Sequence, residues 1–151
     1  MNNNFILVGG VCLFKEEDGK TSWLLTKTNT ESDWELPKIV VRKVESSVRA
    51  VLRMLGEQGG MSVRVLEEAG RSGGVTTVNN KVVPQRIIYY LARQKSSEGE
   101  VIGFSEFTWA PYPNALKKLA QKKEIQMLTA ARDEYKEWLK RRKKRKLLAV
   151  K

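Results

Sequence analysis

The side chains that could carry chemistry in this 151-residue chain are mainly carboxylates. The sequence contains no histidine and a single cysteine, Cys12, so Ser-His and Cys-His nucleophile pairs are excluded. The same counts exclude an intramolecular disulfide and a zinc site built from several cysteines. Acid–base or metal chemistry must therefore depend on Asp and Glu, with Lys and Tyr as lesser candidates.

One group of candidate residues lies near the end of a predicted helix over residues 45–58. Positions 54, 57 and 58 fall at about 0°, 300° and 40° around a helix, so their side chains are predicted to share one face. Glu57 supplies a carboxylate there, Gln58 supplies a neutral carbonyl oxygen, and Met54 supplies no ligand for a hard cation. Such a face offers Mg²⁺ or Mn²⁺ one charged ligand.

Cationic side chains surround this helix in the sequence. They are Lys38, Arg42, Lys43, Arg49 and Arg53. Such a cluster can hold an anion by charge alone, and a solvated charged loop is the alternative interpretation. Tyr89 and Tyr90 follow on a predicted central strand, where successive side chains point to opposite faces. One of them is expected to face the core and the other a cleft, and Tyr90 is assigned to the substrate.

The net charge of +11 is unevenly distributed. Seven of the positive charges form one run at the C-terminus: Lys140, Arg141, Arg142, Lys143, Lys144, Arg145 and Lys146. This tail could contact RNA or another polyanion. The alternative is a solvated helix end, where cations also suit the negative end of the helix dipole.

The elements that must position these residues alternate between strands and helices. Strands are predicted over residues 8–14, 22–27, 61–68, 76–78, 81–83, 86–93 and 104–109, with turns at Asp18-Gly19 and Asn79-Asn80. Helices are predicted over residues 45–58, 114–120 and 124–146. The first helix has Ser46 or Ser47 as its N-cap. Its core face is predicted to contain Val48, Val51, Leu52 and Leu55. This order predicts a layered, mixed α/β fold.

No apolar run approaches the length of a membrane span, and the stretch from Phe5 to Phe14 is interpreted as a buried strand. We therefore expect no membrane partner and a cytoplasmic location.

The spacing from Ile39 to Met61 resembles the Nudix box, G-x5-E-x7-R-E-U-x-E-E-x-G-U, where U is a bulky aliphatic residue. Glu45, Arg53 and Glu57 occupy box positions, whereas Ile39 stands at the first glycine. Met54 and Gln58 replace two of the glutamates. Three other segments also resemble Nudix proteins: Trp34–Lys38, Val8–Val11 and, in the diadenosine tetraphosphate hydrolase branch, Phe107–Leu116.

This resemblance implies a Nudix-type α/β/α sandwich with a mixed sheet over residues 1–135, followed by a basic helix or tail over residues 136–151. It implies that Glu57, Arg53 and Glu45 are catalytic and that Glu57 and Gln58 hold Mg²⁺ or Mn²⁺ weakly. Lys38, Arg42, Lys43 and Tyr90 are then expected to bind substrate or phosphate. Glu67, Glu68 and Glu106 are candidates for a further metal ligand from outside the box.

Two functions follow from the resemblance. The first is a hydrolase of a nucleoside diphosphate linked to another moiety, such as a dinucleoside polyphosphate. The second is an inactive Nudix domain that binds nucleotide or RNA through its basic surface. The carboxylates missing at Met54 and Gln58 favour the second.

Overall fold

The computed structural model describes residues 5–97 and 103–149. Its strands are β1 (Ile6–Glu17), β2 (Lys20–Lys27), β3 (Lys38–Val40), β4 (Met61–Val78), β5 (Lys81–Ser97) and β6 (Glu106–Ala110). Its helices are α1 (Ser47–Glu57), α2 (Tyr112–Lys118) and α3 (Lys122–Ala149). The predicted mixed α/β fold is confirmed.

The strands form one mixed sheet in the order β4-β5-β1-β2-β6, and β3 pairs with β1 outside this path. β1 and β5 run parallel, and the other pairs are antiparallel. The β1–β2 hairpin turns at Asp18-Gly19, where both residues have positive φ angles, as a tight hairpin turn requires. The second predicted turn, Asn79-Asn80, also has two positive φ angles and joins β4 to β5.

Two apolar cores cover the two faces of the sheet. Alternate side chains of β1 belong to one core and then the other, because successive side chains on a strand point to opposite faces. Val11 and Leu13 pack with Val51 and Leu55 of α1, whereas Phe14 belongs to the core that contains Leu128 of α3. The central sheet therefore lies between two helical layers.

Close packing against β1 requires the pair Gly9-Gly10. A Cβ atom at Gly9 would lie 2.9 Å from the carbonyl oxygen of Ser47, so glycine allows α1 to approach the sheet. A Cβ atom at Gly10 would lie 2.6 Å from the ring of Tyr89, so glycine there allows this ring to lie over the strand. The two glycines thus fix where α1 and Tyr89 sit relative to β1.

The structure differs from the sequence prediction in its strands. The predicted strands at 61–68 and 76–78 are one strand, β4, and those at 81–83 and 86–93 are one strand, β5. The glycine-rich stretch between residues 70 and 74 resembles a loop in sequence, but it continues in the strand. Register shifts near Val63, Glu67 and Gly70 absorb the irregular residues. The short strand β3 lies in a segment for which no strand was predicted.

The buried face of α1 also differs from the prediction. Ser46 caps the helix through a bond from the Arg49 amide, as expected. Val51 and Leu55 are buried as predicted, but Leu52 is 41% exposed and Val48 is only half-buried. Met54 takes a place in the core instead, so the helix is rotated relative to the predicted core face.

α3 runs without a break across the predicted division at residue 135. Tyr135 and Trp138 pack on Phe14, with ring centroids 4.6 and 5.6 Å away. Farther along, Arg142 pairs with Glu16 at 3.0 Å, so the first part of the basic run contacts the domain. None of the helices in the described part of the chain is long and apolar enough to cross a membrane.

Candidate functional site

Glu45 and Arg53 pair with each other. The Arg53 guanidinium donates through Nε to Glu45 Oε2 at 2.8 Å and through Nη2 to Oε1 at 3.0 Å. The hydrogen bonds from Arg53, and a further bond from the Arg42 amide, lower the pKa of Glu45 from 4.5 to about 2. Because both charged groups are engaged, this pair joins the loop before α1 to the helix and positions its neighbours.

The helix-end group, Met54, Glu57 and Gln58, does not form one polar face. Met54 is 1% exposed and packs in the core beneath α1, whereas Glu57 is exposed. Gln58 is half-buried, and its backbone carbonyl oxygen accepts a bond from the Gly103 amide at 3.0 Å. A side chain at position 103 would collide with Gln58, so the segment after β5 lies directly on this residue.

The carboxylates do not converge on a metal-binding centre. Within residues 5–97 and 103–149, no three His, Cys, Asp or Glu side chains form a group that could hold a metal ion. Glu68 pairs with Arg71, and Glu106 lies 3.8 Å from Lys27. With a buried thioether, one amide and one exposed carboxylate at the helix end, the residues present do not fit a divalent cation held by protein side chains.

A second set of polar side chains does converge, at the start of α3. Glu124, at the start of α3, is 2% exposed and accepts three hydrogen bonds. The donors are the Leu36 amide at 2.8 Å, the Lys38 ammonium at 3.1 Å and the Tyr89 hydroxyl at 2.5 Å. We call Glu35, Lys38, Tyr89 and Glu124 the buried network.

The buried network contains two carboxylates and one ammonium group. The Lys38 ammonium also lies 3.5 Å from Glu35, so two carboxylates share one cation. Burial, with a contribution from Glu124, raises the pKa of Glu35. Burial and the neighbouring Glu124 carboxylate also raise the pKa of Tyr89, so its hydroxyl remains a hydrogen-bond donor. The charges of this network mainly satisfy one another.

The buried network forms one wall of a polar cavity of about 300 Å³, which we call the larger cavity. Its lining residues come from the segment before β3, from β4 and β5, and from the start of α3. They are Glu35, Lys38, Ser72, Gly73, Gly74, Val75, Gln85, Ile87, Tyr89, Gln121 and Lys123. The Lys123 ammonium bonds the Gly73 carbonyl at 2.5 Å and so links α3 to β4 beside the cavity.

A smaller cavity of about 200 Å³ adjoins the larger one, and Glu35 and Lys38 line both. Its other lining residues are Thr26, Lys27, Thr28, Gln58, Gly103, Phe104 and Ser105. The structure therefore brings two predicted site residues, Lys38 and Gln58, to one cavity. Glu57 is not among the residues that line it.

The remaining predicted site residues lie elsewhere. Arg42 and Lys43 are exposed on the loop before α1 and line neither cavity. Tyr90 faces α1, where its hydroxyl is 2.6 Å from Ser47 Oγ, and it is Tyr89 that lines the larger cavity. The seven cations of the tail extend along the end of α3.

Sequence analysis did not select Glu35, Gln85, Gln121 or Glu124 as site residues. Glu35 lies within the Trp34–Lys38 segment that precedes the box, so its position in the sequence could have identified it as a candidate. Glu124 lies in a lysine-rich helix start, and no local pattern distinguishes it from a surface carboxylate.

Comparisons with known proteins rest on three-dimensional similarity. No protein-family model matches the chain, and no curated protein sequence does. The crystal structure of Caenorhabditis elegans Ap4A hydrolase is similar, with a TM-score of 0.64, 18% identity, and 83% of this chain and 95% of that chain covered. The Nudix domain of Shewanella oneidensis NrtR in complex with ADP ribose has a TM-score of 0.64 and 19% identity, with 89% and 90% covered. This chain has the Nudix fold.

A third structure with this fold is the Escherichia coli dihydroneopterin triphosphate pyrophosphohydrolase. Its TM-score is 0.62 and its identity is 10%, with 81% of this chain and 91% of that chain covered. The similarity extends over most of each chain, so the sheet and its helical layers are those of a complete Nudix fold. Within this fold, Gln58 of the helix-end group lines the smaller of the two polar cavities.

Proposed function

We propose that the chain binds a nucleotide, with the heterocyclic base in the larger cavity. The proposal rests on one observation: uncharged polar groups line this cavity, while its charged groups already have partners within the chain. Gln85 and Gln121 supply amide donors and acceptors, and Ser72 supplies a hydroxyl. A neutral heterocycle matches such groups better than a free anion does, because Lys38 is held between two carboxylates. The volume of about 300 Å³ is within the range of small-molecule sites.

The phosphates would extend into the smaller cavity, which shares Glu35 and Lys38 with the larger one. Lys27 lies on its wall, with its ammonium 3.8 Å from Glu106 and 4.8 Å from the centroid of the Trp34 ring. A phosphate oxygen in this cavity would compete with Glu106 for the Lys27 ammonium, with Lys38 at the junction of the two cavities. Charge and hydroxyl groups, rather than a resident metal ion, supply the recognition in this arrangement.

Binding without efficient turnover follows from the helix-end group. Met54 is in the core and Gln58 is neutral, so Glu57 is the one carboxylate that the group retains. A metal-dependent hydrolase of a nucleoside diphosphate linked to another moiety is the second candidate. The exposed Glu57 and the two hydrolases of the same fold favour it. Mg²⁺ or Mn²⁺ would then be held largely by substrate phosphates and water.

The tail adds a proposed second contact, with RNA or another polyanion. Lys140 pairs with Glu137 and Arg142 pairs with Glu16, whereas the other five cations are exposed. These five are Arg141, Lys143, Lys144, Arg145 and Lys146. Exposed cations on one helix suit phosphate contacts that carry no sequence information.

Calorimetric titration with AMP, ATP and ADP-ribose in the presence of EDTA tests the proposal. We expect binding without metal, and we expect Gln85→Ala to weaken it about tenfold by removing an amide from the cavity. Gln94→Ala is the matched control, because Gln94 is also half-buried on β5 but contacts Met61 away from the cavity. Equal affinities for the two variants would contradict the proposed base site.

A turnover assay separates the two candidate functions. Hydrolysis of ADP-ribose or a dinucleoside polyphosphate that requires Mn²⁺ and is lost in Glu57→Gln would support the hydrolase. Nucleotide binding in EDTA, with no turnover when Mn²⁺ is added, would support the binding module. No binding to any of the nucleotides, with or without metal, would reject both.

A further inference from the structure

The β4–β5 hairpin extends beyond the rest of the sheet. β1 begins at Ile6, which pairs with Gln85, so residues 75–84 have no third strand beside them in the described part of the chain. We call residues 75–84 the hairpin arm. It carries large exposed apolar side chains: Val75 and Val82 are each 70% exposed, and Val78 is 40% exposed.

The two edges of the hairpin arm differ in their hydrogen-bonding groups. The Gly73 carbonyl points outward from β4, since it accepts a bond from Lys123 of α3. No register shift interrupts β4 between Gly73 and Val78, so the amides and carbonyls of Val75 and Thr77 point outward too. On the other edge, Pro84 lies opposite Val75 and has no amide proton. The β4 edge therefore retains a donor at Val75 that the β5 edge lacks at Pro84.

Charge also distinguishes this edge from the rest of the molecule. The chain carries +11, yet residues 72–80 contain no charged side chain. Two copies of so basic a protein repel each other over most of their surfaces. They can approach with little repulsion where an uncharged strand edge meets an uncharged strand edge. Nearer the start of β4, the register shifts disrupt the edge and disfavour such pairing.

We propose that the β4 edge of the hairpin arm, Val75–Val78, pairs with the same edge of a second copy of this chain. Antiparallel pairing about a two-fold axis satisfies the outward amides and carbonyls of both copies with identical partners. With the two-fold axis at Thr76, Val75 of one copy lies opposite Thr77 of the other, and the two Val75 side chains are diagonal neighbours whose exposed surface is partly removed from water. The product is a dimer with a continuous sheet; because Val75 also lines the larger cavity, the dimer is tested without nucleotide.

Sedimentation analysis over a wide concentration range, without nucleotide, tests the dimer. The mass of the full chain should rise from 17.2 kDa towards twice that value. Val75→Lys should keep it monomeric, because it would place two ammonium groups at neighbouring positions across the joint. Val40→Lys is the matched control, since Val40 is 58% exposed on β3, and it should dimerise as the unaltered chain does. Equal effects of the two substitutions, or a monomer at every concentration, would overturn the proposal.

Amide hydrogen exchange gives a second readout that does not require a variant. The amides of Val75 and Thr77 should exchange more slowly as protein concentration rises, because pairing with the second copy protects them. The amides of Thr76 and Val78 point inward to β5, so their exchange should not depend on concentration. Exchange at Val75 and Thr77 that is independent of concentration, or a mass that grows beyond two copies, would reject the two-fold pairing.

Discussion

The helix-end group and the buried network both contribute residues to the smaller cavity, yet their polar groups are in opposite states. In the buried network, Glu124 satisfies three donors at once, and Lys38 joins it to Glu35. In the helix-end group, one residue is in the core, one is exposed, and one is covered by the segment after β5. A Nudix fold can thus hold a polar cavity beside a helix end whose described side chains do not converge on one point.

This difference separates binding from catalysis in physical terms. A metal-dependent hydrolase needs several carboxylates aimed at one point, and replacing two of them removes most of the charge that offsets Mg²⁺ dehydration. Base recognition needs hydrogen-bonding groups held in fixed positions. It therefore depends on the residues that hold those groups in place. The buried network is such a support, because it ties the segment before β3 to α3 and β5.

Removing Glu124 should have the largest effect. Glu124→Ala removes the nearer of the two carboxylates from the Lys38 ammonium and leaves the Leu36 amide and the Tyr89 hydroxyl without an acceptor. Leaving two donors unsatisfied and weakening a largely buried ion pair should cost about 3 kcal/mol of unfolding free energy. Urea unfolding measures the loss. Glu124→Gln keeps the shape and an acceptor oxygen, so its loss should be smaller, and equal losses would mean that the charge of Glu124 is unimportant.

Restoring the missing glutamates should not restore catalysis. In the double variant Met54→Glu plus Gln58→Glu, the new carboxylate at position 54 would lie in the core without a partner. We expect a loss of about 3 kcal/mol in stability and no pyrophosphatase activity with Mg²⁺ or Mn²⁺. Gln58→Glu alone should fold normally and serves as the control. A folded, active double variant would show that α1 can rotate to present position 54 to a metal ion, and it would contradict the assignment of this position to the core.

The fold could be predicted from sequence more fully than the site. Strand alternation, the Ser46 cap and the two tight turns are local signals, and the spacing from Ile39 to Met61 resembles the Nudix box. The buried network depends on contacts between residues far apart, such as Glu124 and Leu36. The choice between Tyr89 and Tyr90 depends on the register of β5 against β1, where Gly10 lies opposite Tyr89. No local pattern specifies either relation.

Tyr89→Phe tests the contribution of one hydrogen bond to the buried network. It removes the hydroxyl that donates to Glu124 but leaves the ring packed against Gly10. We expect a loss of about 1 to 3 kcal/mol in stability, because Glu124 keeps its other two donors. Tyr90→Phe is the control for removal of a tyrosine hydroxyl outside the network, since it bonds Ser47. Nucleotide affinity should fall in Tyr89→Phe and not in Tyr90→Phe, and the reverse order would place the ligand on the α1 side of the sheet.

Acid unfolding tests the ion pair that supports the helix-end group. The pKa of Glu45 is lowered from 4.5 to about 2, so the pair with Arg53 stabilises the folded state above about pH 4.5. This contribution should be lost as the pH falls from 4.5 through 2, because the folded state must then take up a proton that the unfolded state already holds. In Glu45→Gln, stability should fall less over this range. Glu31→Gln, at an exposed site, should behave as the unaltered chain does.

The smallest effect on the fold should come from the tail, which lies outside both regions. Substituting glutamine for the five exposed cations, Arg141, Lys143, Lys144, Arg145 and Lys146, keeps Arg142 over the Trp138 ring and paired with Glu16. Stability should therefore change little. If the tail binds RNA, affinity for a uridine oligomer should fall, because these side chains contact phosphates.

The salt dependence of RNA binding measures how many phosphate contacts the tail makes. Five charges set an upper limit of about 3.5 for the tail's part of the slope of log K against log salt on single strands. The measured part should be smaller, since one helix cannot direct five side chains at one strand. Substituting glutamine for Lys140 and Arg142, which are paired within the chain, should change the slope less. If the tail contacts phosphates, removing five of its cations must weaken RNA binding. Equal RNA affinities at low salt for the five-fold variant and the unaltered chain would therefore mean that the run is a solvated helix end.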